Sequence, residues 1–188
     1  MALSLGLRQG EALGLRWNDI DTGARTLHVA QALQAVKGTR SLMEPKTENA
    51  RRTLPLPVAM VGALRSHRTR QLEDRLRAGA GWRDHGLVFP TSVGTPIHPR
   101  NLVRSFHALL KRAELAPIRF HDLRHSCLSL LAAQGIPARM AMEIAGHLDI
   151  RLTQNVYTHV YDEAKQQAAD VMDRLFPADQ ILSQDVGD

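Results

Sequence analysis

The chain has 188 residues, 44% of them apolar, and carries 24 Lys or Arg against 19 Asp or Glu, for a formal net charge of +5. That composition excludes a disordered chain and suffices for one domain with its own core. A single cysteine, Cys127, excludes an internal disulfide and makes a reducing, intracellular (cytoplasmic) compartment the expectation. No run approaches the roughly 18 apolar residues of a membrane helix, and Arg8 cuts the apolar opening short of a signal peptide.

The first predicted helix covers residues 10–17, where Leu13 and Trp17 stand at i, i+4 and Asn18 and Asp19 stop it. Residues 25–57 then change character. Segments 26–29, 41–44 and 52–55 read as three short strands, with Lys37-Gly38 and Lys46-Thr47-Glu48-Asn49 in the turns. They predict a small antiparallel meander beside a mostly helical body. Val61, Leu64, Leu72 and Leu76 mark a long helix ending near Gly79. Residues 79–101 hold several Gly and Pro and read as a connector inside one domain. Leu102, Phe106, Leu109, Leu110 and Ala113 give a helical stripe with Pro99 in its first turn. Leu123, Cys127, Leu130 and Leu131 give another, closed by Gly135. Pro137 suits the start of a short helix through Ile144, and Ala164 to Leu175 form a final amphipathic helix before a frayed tail from 178.

The charge is unevenly spread. Residues 37–70 hold eight Lys or Arg against two Glu, whereas residues 162–188 hold seven acids against two bases. A basic middle with an acidic end suggests a polyanion on one face, although a solvated basic face would look the same.

Several residues could do chemistry. His121, Arg124 and His125 fall at i, i+3 and i+4 and are predicted to share a helix face away from the Leu123, Cys127, Leu131 stripe. His121 and His125 also have zinc-ligand spacing, as do Glu143 and His147, but Asp122 replaces the glutamate of a His-Glu-x-x-His motif, no acidic third ligand follows, and nearby arginines would repel a cation. Arg8 offers a planar fork for two phosphate oxygens, and Glu11, three residues on, can hold it. Lys46, at the tip of a predicted hairpin, can reach into a groove and protonate a leaving oxygen. Tyr157 can act as a nucleophile if nearby cations favour its phenolate; Tyr161 is its rival.

Taken together, these residues resemble the catalytic domain of tyrosine recombinases, the phage integrase family. The likeness runs from the segment Leu5-Gly6-Leu7-Arg8-Gln9-Gly10-Glu11 nearly to the last helix, through Val88-Phe89-Pro90-Thr91 and Gly94-Thr95-Pro96. The family's first arginine matches Arg8 and its supporting acid Glu11. Its hairpin lysine matches Lys46, its His-x-x-Arg pair His121 and Arg124, its second histidine His147, and its nucleophile Tyr157, in a Tyr-x-His-Val pattern that rules against Tyr161. Leu5, Ala145 and the Ser126-Cys127 pair depart from the usual residues without removing a catalytic group.

The resemblance implies an α+β fold, mainly α, of the DNA breaking-rejoining type with a small three-stranded antiparallel sheet near the N-terminus. The catalytic domain would fill residues 1–177, without the family's further first helix and upstream DNA-clamping domain, and 178–188 would be a flexible tail. It also implies double-stranded DNA as partner, other recombinase protomers in a tetrameric synapse, work at the nucleoid, and no metal or other cofactor, because a phosphotyrosyl bond conserves the energy of the phosphodiester. Arg51 and Arg52 beside the hairpin, and Arg100 and Arg104 in the helix from Pro99, are expected on backbone phosphates. The competing expectations are a DNA-binding remnant without recombination activity and a topoisomerase-like relaxer.

Overall fold

The computed structural model describes residues 1–36, 39–43 and 51–146. In chain order they form α1 (Ala2–Leu5), α2 (Gln9–Gly14), β1 (Ile20–Asp21), β2 (Thr26–Val29), β3 (Ala32–Val36), β4 (Thr39–Met43), β5 (Arg52–Pro55), α3 (Val58–Ala78), α4 (Pro99–Arg112), α5 (Asp122–Ala133) and α6 (Ala138–Ala145). No helix among the described residues is long and apolar enough to cross a membrane. Lys46, His147, Tyr157 and Tyr161, the expected last helix and the tail lie outside the described residues.

The strands make two antiparallel units rather than one meander. A three-stranded sheet has the order β1-β2-β5, with Ile20 opposite Leu27 and Leu27 opposite Leu54. A separate hairpin pairs β3 with β4, Leu33 opposite Leu42. The segment expected to pair with 52–55 therefore pairs backwards with β3. β3 itself, Ala32-Leu33-Gln34-Ala35-Val36, has residues that favour helix as readily as strand, and its partner decides the outcome.

Leu5, Leu7, Ala12, Leu15, Leu27, Val29, Leu54, Leu56, Val61, Leu64 and Val88 form the main core, between α2, the three-stranded sheet and the first half of α3. A second cluster, Leu128, Ala132, Ala141 and Ala145, joins α5 to α6. The connector after α3 is stitched into the main core. Val88 N donates to Leu15 O at 2.8 Å and Trp17 N to Gly86 O at 2.9 Å. That pairing takes residues 15–17 out of α2, which stops at Gly14 instead of running to Trp17.

Helix lengths follow the apolar spacing better than helix faces do. In α3, Leu72 and Leu76 are exposed, and the buried residue of that half is Gln71. Its amide accepts from Trp17 Nε1 at 2.6 Å and donates to Leu87 O at 2.9 Å, so a polar side chain ties α3 to the connector. In α4 only Leu110 is buried, while Leu109 is exposed.

Candidate active site

Four segments meet at the C-terminal end of α6. The turn between α1 and α2 carries Arg8 and Gly6, α2 carries Glu11, β5 begins with Arg52, and α5 carries Arg124. Three consecutive carbonyls at the end of α6 each accept from a different guanidinium. Arg52 Nε donates to Ile144 O at 2.8 Å, Arg124 Nη2 donates to Ala145 O, and Arg8 Nη2 donates to Gly146 O at 2.8 Å. The free carbonyls of a helix C-terminus carry partial negative charge, so three cations there are favourably placed. His147 is the next residue in the sequence.

Among the described residues Glu11 supplies the counter-charge. It is 5% exposed, accepts from Arg8 N and Arg8 Nη1, both at 2.8 Å, and receives Arg52 Nη1 at 3.1 Å and Nη2 at 3.0 Å. Burial by itself raises its pKa. The bonds and charge of Arg52, and then of Arg8, outweigh that and hold the carboxyl below its ordinary range.

The three arginines are not equivalent. Arg8 leaves 39% of its side chain exposed, whereas Arg52 leaves 7%. Arg124 is 1% exposed and also donates to Gly6 O through Nη1. Burial, and next the charge of Arg8, lower its pKa to about 10, so it stays cationic at neutral pH.

This placement corrects one expectation and bears on another. Arg124 does not share an outward face with the histidines: it lies inward with Cys127 and Leu128, while His121 and His125 are exposed and meet edge to face at 4.9 Å. Arg52 lies beside the hairpin as expected, but its side chain is turned inward onto Glu11 and α6 rather than out to solvent.

His121 sits at the N-cap of α5. Partial desolvation of its ring, then the nearby His125 and Arg124, lower its pKa, which favours the neutral ring. Asp122, in the first turn of α5, accepts from Arg119 N at 2.8 Å and pairs with the Arg119 guanidinium at 2.8 Å, fixing the approach to the helix. Among the described residues no three His, Cys, Asp or Glu side chains gather where they could hold a metal ion.

Arg100 and Arg104 lie on α4 with their side chains exposed, and Arg51 is exposed just before β5. Gln9 Nε2 donates to Pro99 O at 2.9 Å, tying the start of α4 to the residue after Arg8. Arg100, Arg104, His107 and Lys111 recur at i, i+4, i+7 and i+11, all exposed, in a helix with no acidic residue.

The family model described as "Phage integrase family" matches residues 1–164. A tyrosine recombinase XerC-like protein of Caldanaerobacter subterraneus subsp. tengcongensis is 37% identical, covering 94% of this chain and 48% of its own length. An integrase of Streptomyces ambofaciens is 34% identical over 94% of this chain and 47% of its own length. The chain thus spans about half the length of these relatives. Among solved structures, the Tn1549 transposon integrase in complex with circular intermediate DNA superposes with a TM-score of 0.74 at 25% identity, covering 90% of this chain and 57% of that one. XerA recombinase superposes with a TM-score of 0.67 at 21% identity, over 88% and 54%, which shows the shared fold.

Proposed function

The chain belongs to the phage integrase family, the tyrosine recombinases, and on that premise we propose that it is the catalytic part of a site-specific DNA recombinase that cuts and rejoins strands through a 3′-phosphotyrosyl intermediate. The observation that carries this reading is the convergence of Arg8 and Arg124, distant in sequence, on neighbouring carbonyls directly before His147. Two fixed guanidiniums side by side suit a phosphodiester whose non-bridging oxygens gain charge as phosphorus becomes pentacoordinate.

In the proposed step the Tyr157 oxygen forms a bond to phosphorus as the bond to the 5′ oxygen breaks. Lys46 supplies a proton to the departing 5′ oxygen. His121, whose surroundings favour the neutral ring, takes the proton leaving the phenol. Arg8 and Arg124 stabilise the phosphorane, and His147 hydrogen-bonds a phosphate oxygen. Rejoining reverses the step with a 5′-hydroxyl of the partner strand as nucleophile. The relative solved with circular intermediate DNA supports duplex DNA as substrate. Arg51, Arg100 and Arg104 are its proposed backbone contacts, protomers of the same kind its partners in a synapse, and the nucleoid its place of work.

The test is a nicked suicide duplex of the cognate site, from which the cleaved strand diffuses away. The protein should form a denaturation-resistant adduct, and Tyr157→Phe should abolish it. Survival of the adduct in Tyr157→Phe with loss in Tyr161→Phe would move the nucleophile to Tyr161. Tight DNA binding by the parent with no adduct would make the chain a DNA-binding remnant.

A further inference from the structure

We infer that Arg52 is a positioning residue for cleavage: it neutralises Glu11 and pins the last turn of α6, so that the charge of Arg8 is left uncompensated and aimed at the phosphate. The inference rests on the recombinase reading for what Arg8 does, and on geometry for what Arg52 does.

Glu11 is a nearly buried carboxylate with two cations in contact. If Arg8 were its sole counter-ion, the pair would be close to neutral and Arg8 would be a poor partner for a phosphodiester. Arg52 changes the balance. Its two Nη atoms take one carboxylate oxygen each, at 3.1 and 3.0 Å, in the fork geometry that arginine forms with carboxylates. Being mostly buried, Arg52 is poorly placed to meet DNA itself, whereas Arg8 keeps over a third of its side chain accessible. With Arg124, the cluster holds, among the described residues, three positive charges against one negative, a surplus that an incoming phosphodiester can share.

The second half of the role is mechanical. Arg52 Nε holds Ile144 O, and its guanidinium lies against Gly146: a Cβ built there would sit 2.8 Å from Arg52 Nη1 and 3.1 Å from Cζ. Gly146 also has φ 64°, which glycine adopts without strain. Its carbonyl is the one that Arg8 grips. Arg52 therefore touches both groups that fix Arg8, the carboxylate on one side and the carbonyl-bearing turn on the other.

The test is a rate and a stability cycle on the whole chain, using Arg52→Gln, Arg52→Lys, Glu11→Gln and the Arg52→Gln/Glu11→Gln double variant. With saturating nicked duplex, Arg52→Gln should form the Tyr157 adduct about 10²-fold more slowly, the scale expected when reacting groups are misplaced by an ångström, while its Kd for uncleaved duplex stays within about threefold of the parent. Arg52→Lys, which keeps the charge but not the fork, should recover part of the rate. The double variant should react faster than Arg52→Gln alone, because the orphaned carboxylate is gone. A merely structural arginine would instead give losses that multiply. Cleavage by Arg52→Gln at the parent rate, or multiplicative losses in the double variant, overturns the inference. If the parent forms no adduct, the recombinase reading fails, and urea denaturation of the same four proteins still decides the Arg52–Glu11 half: midpoint losses that simply add would refute it, and a double variant more stable than Arg52→Gln would uphold it.

Discussion

Glu11 is where residue-scale physics is sharpest. A carboxylate this enclosed stays charged only because it is paired, and removing one partner of a buried ion pair strands the other. Glu11→Gln should cost about 3 kcal/mol at neutral pH, read by urea denaturation, because both Arg8 and Arg52 lose their counter-charge. The folded pKa of Glu11 lies below its unfolded value of about 4.3, so its contribution is full above that value and is lost as the pH falls through the lower, folded one. The stability gap between parent and Glu11→Gln should close across that acid window; a gap that stays constant through it would show that Glu11 is not the titrating support. Two neighbours of Glu11 were legible in the sequence by a rule that the charge pattern hid. Strand alternation sets Arg52 on the same face as buried Leu54, and helical spacing sets Arg124 with Cys127, Leu128 and Leu131. Read as cations, both belong outside; read by period, both belong inside, and the period prevails because carbonyls and a carboxylate wait there to satisfy them.

At the scale of elements, α2 shows why the start of the chain reads as helix yet packs in a way that composition does not reveal. Gly10 and Gly14, one helical turn apart, face β3. A Cβ on Gly14 would lie 2.9 Å from Leu33 N and 3.0 Å from Ala32 Cα, and one on Gly10 would lie 2.8 Å from Leu33 O. These are backbone atoms that cannot swing away. Gly14→Ala should therefore lower stability by about 1–3 kcal/mol despite its better helix propensity. Gly62, exposed on α3, is the matched control: a methyl added there would have nothing within 4 Å, and Gly62→Ala should raise stability by about 0.5–1 kcal/mol. Thermal melts of the two variants should move in opposite directions; a shared direction would mean that β3 does not press on α2. The long helices α3, α4 and α5 were legible because each carries several turns of apolar spacing and a stop or start signal. β1, two residues long, has no period to read, and β3 takes its state from β4 and α2 rather than from its own residues.

At the scale of the whole molecule, assembly of the arginine cluster from both ends of the described chain could not be seen in any periodicity; the family resemblance picked out Arg8, Glu11 and Arg124, and the fold brings them together at α6. What the charge pattern did suggest is a face for a polyanion, and the structure divides the arginines that the resemblance assigns to DNA into two kinds. Arg100 and Arg104 stand exposed along α4, whose start is tied by Gln9 to the segment bearing Arg8, whereas Arg52 is turned inward. Each phosphate neutralised by a lysine or arginine releases condensed counterions, so the logarithm of the DNA association constant should fall linearly with the logarithm of salt concentration, by about 0.9 per contact. Arg100→Gln and Arg104→Gln should each weaken binding to cognate and unrelated duplexes alike and flatten that slope by about 1. Arg52→Gln should leave the slope unchanged, because its charge is already committed to Glu11 and the end of α6. Fluorescence anisotropy titrations over a series of salt concentrations separate the two kinds. An unchanged slope in both α4 variants would make that row of basic residues a solvated face, and a flattened slope in Arg52→Gln would return Arg52 to the DNA surface and remove the buried role assigned to it.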